Sequence, residues 1–470
     1  PLVAVPLDAR LTGVASLTYS SLALLLAVML VWRAQWNPSR ERVTAFLKTG
    51  ANAPVLLFAG LVLVSGVFAP NKLFAVSQII QIMAGVLLYF VVAYQFRQSK
   101  HMSMLSDTLM FLAAAVSLVT MAQYAMDAAN RGTALFGNQQ PLGSLLMILL
   151  PMVAVVALSE KQLSGRQIAA QIITVMTAGS LLLAQTRSAW IGAFAALVML
   201  AGLALTTAAR DNKRARGAQR LGAQKHKAVM PIMLAIVSLG FVGLMVSQNG
   251  GFAQRAASFS SLNSDYTFQH RAQAYWTGTV KMIQENPFGG VRIGQYPLVQ
   301  KQYTGQGIEV SASATGSLAE NAHNFYLQTA AELGIPGAIL FVAILGVFLV
   351  NGISRVNTMD AGIRRTLLMG SVAAIVAFSL DALSSPAWQF GQVAMFFWLI
   401  LGAGVGCMRP RAKHEEEEAI PVLVKPRVMR PAIAVLAGII FMTVVLPVTT
   451  LTAQASNGYD DDDDWWKYLL

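Results

Sequence analysis

The sequence predicts an all-α fold: a polytopic integral membrane protein of about twelve transmembrane helices, with one large helical segment outside the membrane between the eighth and ninth. Three observations lead there. The chain of 470 residues is 55% hydrophobic and 12% charged, with a mean hydropathy of +0.56, too apolar to close around one soluble core. Its apolar residues come in blocks of about 20, the number a helix needs to cross a bilayer. Its lysines and arginines gather in particular connections between those blocks.

In chain order the blocks fall at 14–32, 51–69, 74–96, 102–125, 141–159, 168–185, 188–208, 229–248, 335–351, 366–384, 388–407 and 431–450. Ahead of them, "PLVAVPL" is too short to span; as the chain starts at Pro1 without a methionine, it is expected to be the tail of an earlier spanning helix. The connections are turns or short loops except for 249–334, which is polar with helical patches. Most of the 34 lysines and arginines lie in 33–50, 97–101, 160–167, 209–228, 352–365 and 408–430. Basic residues are retained in short cytoplasmic loops, so the long segment is expected on the opposite side. Four regions result: N-terminal spans over 1–248, the long outward segment over 249–334, C-terminal spans over 335–452, and a tail over 453–470. That tail, ending "YDDDDDWWKYLL", has no continuity with the spans and is expected to take no part in the fold.

Several function classes lose support. The net charge of +12 is concentrated in "RDNKRARGAQRLGAQKHK", a cytoplasmic connection without the aromatic interleaving that stacks bases, so it fits anionic lipid head groups and not nucleic acid. The "EEEE" of Glu415 to Glu418 is expected to be a solvated acidic patch. The single cysteine, Cys407, has no partner in the chain for a disulfide and is expected to be packing. The outward acids Asp265, Glu285, Glu309, Glu320 and Glu332 are scattered, and no His-x-x-x-His or Asp-x-Asp pair accompanies them, so no metal site is expected.

Of five histidines, His101, His226 and His414 fall in cytoplasmic loops, leaving His270 and His323 outside. In "NAHNFYLQTAAELGIPG", Asn321 reads as an N-cap and His323 as a residue of the first helical turn, where the positive end of the dipole disfavours imidazolium and leaves a proton acceptor. Gly334 reads as the C-cap and Pro336 as the opening of the next helix. The plain alternative is a histidine at the start of a surface helix.

Arg187, in "LLLAQTRSAWIG", separates two apolar blocks by almost nothing, so its guanidinium lies at the outer boundary, where it needs an anion or water; the alternative is snorkelling to head groups. In "TFQHRAQAYWTGTVKMIQENPFGGVRIGQYP", Ala272, Trp276, Val280 and Ile283 read as one helix face, with Arg271, Tyr275 and Gly278 on a neighbouring face and Arg292 in the Gly-rich turn beyond. Guanidinium forks bind phosphate in bidentate fashion, so Arg187, Arg271 and Arg292 read as a cradle for a phosphate-bearing lipid. Asp381, near the outer end of its helix, could orient a donor or acceptor, or pair with an arginine for structure.

"TRSAWIG", "HRAQAYW…ENPFGGVRIG" and "HNFYLQTAAELGIPG", in this order around one large outward segment, resemble the O-antigen ligase family of bacterial inner membranes. The resemblance covers nearly the whole chain in layout and roughly 185–337 in motif. It implies a GT-C-like, metal-independent, inverting glycosyltransferase without a cofactor. Such an enzyme moves a polysaccharide from undecaprenyl diphosphate to a sugar hydroxyl of lipid A–core on the periplasmic face. By resemblance, the family's histidine falls on His323, the arginine between adjacent helices on Arg187, and the arginine of the periplasmic helix on Arg271, with Arg292 as a further diphosphate contact. Asp381, Tyr275 and Asn324 stand as supporting residues. One departure is Thr186, where many members place serine before the arginine. An O-antigen polymerase or protein O-oligosaccharyltransferase would use the same donor, and a transporter of lipid-linked sugars would use the arginines without chemistry.

Overall fold

A helix that is apolar on every side must be covered on every side, and the block at 141–159 is such a helix. In the computed structural model, which describes residues 50–95, 99–126, 139–159, 164–217, 275–303 and 321–408, it becomes the axis around which the other spans pack. The helices are α1 (Asn52–Val67), α2 (Lys72–Gln95), α3 (Ser99–Met126), α4 (Gln139–Ser159), α5 (Gly165–Leu183), α6 (Arg187–Gly217), α7 (Thr277–Glu285), α8 (Tyr296–Tyr303), α9 (Phe325–Val356), α10 (Ile363–Asp381) and α11 (Gly391–Met408), with a 3-10 turn at Ala387–Gln389. Among the described residues there is no strand. Seven helices among the described residues are long and apolar enough to cross a membrane, and two shorter apolar ones, α1 and most of α11, accompany them. The expected all-α, multi-pass architecture is therefore what the chain adopts. The blocks at 14–32, 229–248 and 431–450 and the tail lie outside the described residues.

Local chemistry explains where the helices begin. Asn71 Oδ1 accepts from the backbone N–H groups of Leu73 (3.1 Å) and Phe74 (3.3 Å), and so opens α2. Ser164 does the same for α5 by accepting from Gln167 N–H. Residues 142–157 of α4 are buried throughout, wrapped by α3, α5, α6, α10 and α11. Helices α6 and α10 approach closely because Gly192 faces the Ala377 carbonyl, where a Cβ would come within 2.8 Å of that oxygen.

The basic connections share one end of the bundle. Arg365 holds Asp211 through two hydrogen bonds, of 3.1 and 2.8 Å. Arg210 donates to the Asn357 and Met359 carbonyls, Arg214 pairs with Asp360 at 2.9 Å, and Arg355 donates to the Met408 carbonyl. The turns at 68–71, 184–186 and 382–390 close the opposite end, and residues 287–295 and 321–325 pack there.

Helix α9 is two helices. Gly334 (φ 74, ψ 178) breaks it, as the sequence predicts, and Pro336 sits just beyond. The first piece, 325–333, folds back along the second: the Phe325 ring lies 4.8 Å from Phe341 and the Tyr326 ring 5.7 Å from it. The fold-back is clamped from outside by the "NPFGG" turn. Val291 N–H donates to the Ala331 carbonyl and Ile335 N–H to the Pro287 carbonyl, both at 2.7 Å. A Cβ on Gly290 would meet the Ala331 carbonyl oxygen at 2.4 Å, and one on Gly334 the Phe288 backbone at 2.5 Å. Two of the motif glycines thus exist for one contact between backbones. Gly334→Ala should cost about 3 kcal/mol or more, because a backbone conformation open essentially to glycine is combined with a clash; a large fall in melting temperature of the detergent-purified protein checks it.

Candidate functional site

Three chain segments converge at the end of the bundle away from the basic loops. The first is the three-residue turn between α5 and α6. Gln185 takes a left-handed conformation (φ 50), and Thr186 Oγ1 donates to the Gln139 carbonyl at 3.1 Å, pinning the turn to the start of α4. A serine at this position would offer the same hydroxyl. Arg187 is then the first residue of α6, and no acid stands in that first turn. A cation at a helix N-terminus opposes the helix dipole. A guanidinium and the first-turn amides of a helix at one point make a corner that favours an anion.

The second segment is the end of α10. Asp381 is fully buried; Ser144 Oγ donates to its Oδ2 at 2.8 Å, and the Ser188 and Ser385 hydroxyls flank the same carboxylate. Ser188 follows Arg187, so the carboxylate ties the start of α6 to the starts and ends of α4 and α10.

The third segment carries the histidine. Phe325 N–H donates to the Ala382 carbonyl at 2.8 Å, and Tyr326 Oη to the Ser379 carbonyl at 2.8 Å, so the first residues of α9 lie against the last of α10. Asp381 is thus the hinge point of the site: Ser188 touches it from Arg187's side, and its neighbour Ala382 touches Phe325 on His323's side. Phe325 stacks on Trp388 at 4.8 Å over a buried aromatic floor with Phe378 and Phe397.

The cap differs from the sequence reading. Asn324 is the N-cap of α9, its side chain accepting from Leu327 N–H at 3.0 Å. Asn321 instead accepts from His323 N–H at 3.0 Å, closing a turn ahead of the helix. His323 therefore precedes the helix, at φ 47, and does not lie in its first turn. Two asparagines three residues apart offer the same cap chemistry, and the helix starts at the second because Phe325 finds the Ala382 carbonyl there. Tyr275 packs on the histidine, ring centroids 5.2 Å apart.

The helix face assigned to α7 also differs. Its buried residues are Gly278, Thr279 and Met282, while Val280 is exposed. The reason is a second small core of Met282, Tyr296, Ala322 and Ala331, onto which α7 turns that face. In it Tyr296 Oη shares a 2.7 Å hydrogen bond with Thr279; burial, reinforced by the Glu332 carboxylate, pushes the Tyr296 phenol up, so it stays neutral.

Arg292 belongs elsewhere. It too has positive φ, 82; its Nη1 donates to the Gly289 carbonyl at 2.6 Å, and its guanidinium lies 5.9 Å from the Phe68 ring. Its turn packs on residues 331–335, the far end of the short helix from His323. Arg271 and His270 lie outside the described residues. The structure thus brings Arg187, Asp381, Asn324, His323 and Tyr275 to one corner and sets Arg292 apart from it.

Residues 172–342 match the family model described as O-Antigen ligase. Over that span the chain is similar to the O-antigen ligase family. No curated protein matches it. A member of the O-antigen ligase family is an enzyme of glycan transfer, ligase or polymerase in type. The matched span holds Arg187, Arg271, Tyr275, Arg292, His323 and Asn324 and stops before Asp381, which the fold brings back to it. Sequence reasoning missed Ser144 and Ser188 around Asp381, and Trp276, Gln328 and Glu332 around the histidine. Gln328 and Glu332 left a trace, as a polar pair four residues apart in an otherwise apolar helix. Asn324→Ala should cost about 1 kcal/mol of stability and Asn324→Ser nearly none, since serine caps as well; thermal unfolding of the two variants checks this.

Proposed function

We propose that this chain is an O-antigen ligase. It transfers a polysaccharide from undecaprenyl diphosphate to a sugar hydroxyl of lipid A–core at the periplasmic face of the inner membrane, with inversion at the anomeric carbon and without a metal. The observation that carries the reading is the corner just described: a guanidinium at a helix N-terminus and a histidine, held together through Asp381 and its neighbours.

In the proposed reaction His323 is the general base. The acceptor oxygen attacks the anomeric carbon while its proton passes to the imidazole, a glycosidic C–O bond forms, and the bond from the anomeric carbon to the diphosphate oxygen breaks. Undecaprenyl diphosphate leaves with the bonding pair. Arg187, with the α6 amides, and Arg271 neutralise the charge that grows on the leaving oxygen, the part a divalent ion plays in other glycosyltransferases. Asp381 and Asn324 fix the two helix starts, and Tyr275 holds the imidazole face. The basic end of the bundle faces the cytoplasm, so both lipid substrates reach the site from the outer leaflet.

The test is reconstitution with undecaprenyl-diphosphate glycan and lipid A–core. His323→Ala should lower turnover by about 100-fold or more while donor binding persists. Arg187→Ala should lower it by a similar factor, about 100- to 1,000-fold, with Arg187→Lys between. Activity should survive excess chelator. Product formed on a second lipid-linked glycan, and none on lipid A–core, would make the chain a polymerase instead. Turnover that does not depend on His323 would defeat the mechanism.

A further inference from the structure

We propose that Gln328 and Glu332 are positioning residues for His323, acting through the peptide that precedes it; this rests on His323 as the base. A non-glycine residue at φ 47 keeps that conformation only where its surroundings over-determine it. Here they do. The two peptides that flank Ala322 are both gripped: Ala322 N–H, of the Asn321–Ala322 peptide, donates to Gln328 Oε1 at 2.8 Å, and the Ala322 carbonyl, of the Ala322–His323 peptide, accepts from Trp276 Nε1 at 3.0 Å. His323 N–H is taken by Asn321 Oδ1.

Gln328 is in turn fixed. It is buried, and its Nε2 donates to Glu332 Oε1 at 3.1 Å, so its amide cannot flip without losing both bonds. Glu332, also buried, accepts from Tyr296 N–H at 3.4 Å and from the Gly294 backbone. That turn is anchored to the membrane helices. Ile293 N–H donates to Ser65 Oγ of α1, and Gln295 exchanges hydrogen bonds with the Asn71 backbone, all at 3.0 Å. An unbroken line of buried polar contacts therefore runs from the α1–α2 turn, through one carboxylate and one carboxamide, to the peptide beside the imidazole. The Gln328 amide, Tyr296 N–H and the Gly294 backbone all donate to Glu332, so direction as well as distance is specified at this carboxylate.

The experiment measures kcat and donor KM in the reconstituted reaction for Gln328→Ala, Gln328→Glu, Glu332→Gln and the exchanged pair Gln328→Glu/Glu332→Gln, with His323→Ala alongside and melting temperatures for all. Gln328→Ala should lower kcat about 10- to 100-fold with donor KM within about two-fold, as expected for a misplaced catalytic group. Gln328→Glu should lose as much, since it sets two carboxyl groups together. The exchanged pair restores a donor at 332, an acceptor for Ala322 N–H and an acceptor for Tyr296 N–H; its kcat should return to within about three-fold of wild type. Rescue of that kind is foreign to residues that merely fill space. Wild-type kcat in Gln328→Ala, or an exchanged pair no faster than Gln328→Glu, overturns the relay while an inactive His323→Ala leaves the base in place. An active His323→Ala overturns the base itself, and the relay with it.

Discussion

Backbone that leaves the helix inside a packed protein must still find a partner for each buried amide and carbonyl. Residues 321–325 meet that demand almost group by group. The end of α10 supplies the Ala382 carbonyl to the first amide of α9, so two helix termini that would each leave orphan groups complete one another. Asn321 and Asn324 take the next amides, and Gln328 and Trp276 take the Ala322 peptide. The fold-back at Gly334 makes this possible, because it lowers the start of α9 to the level of Phe341 and Trp388 instead of leaving it in an outward loop. The histidine's position is thus a by-product of satisfying its neighbours.

The charges follow the same economy. Arg187 stands at the positive end of α6, where the helix dipole favours an anion; at the other end of the bundle, arginines pair with Asp211 and Asp360 or donate to the carbonyls of Asn357, Met359 and Met408. Asp381, although close by, is committed to serine hydroxyls. A buried carboxylate held this way organises the corner without cancelling the charge that a diphosphate would meet.

Much of this was readable in the residues. Nine of the apolar blocks coincide with described helices, because a 20-residue apolar run has few alternatives in a chain of this hydropathy. Arg187 and His323 stood out because a charge or a lone imidazole between long apolar runs requires a reason. The helix start was misplaced by three residues, since Asn321 and Asn324 carry identical chemistry and only the Ala382 carbonyl, 57 residues downstream of Phe325, chooses between them. The α7 face was misassigned for a related cause: periodicity ranks residues by apolarity, and Gly278 and Thr279 are buried for closeness and for a hydrogen bond to Tyr296. Glu332 reads in the sequence only as one of several scattered outward acids, because the turn that buries it together with Gln328 is not visible there.

The two ends of the α6–α10 pair join these points into one constraint. The helices run antiparallel, locked at the basic end by Arg365 and Asp211 and at the site by Ser188 beside Asp381, with Gly192 against Ala377 between. Fixing both ends and the separation leaves the pair no freedom to slide, so the register that puts Arg187 beside the last turn of α10 is set over the full thickness of the bundle. The short helix 325–333 adds its own lock at Gly290 and Gly334. The starts of α6 and of the short helix are therefore each positioned by contacts that reach well beyond the corner itself.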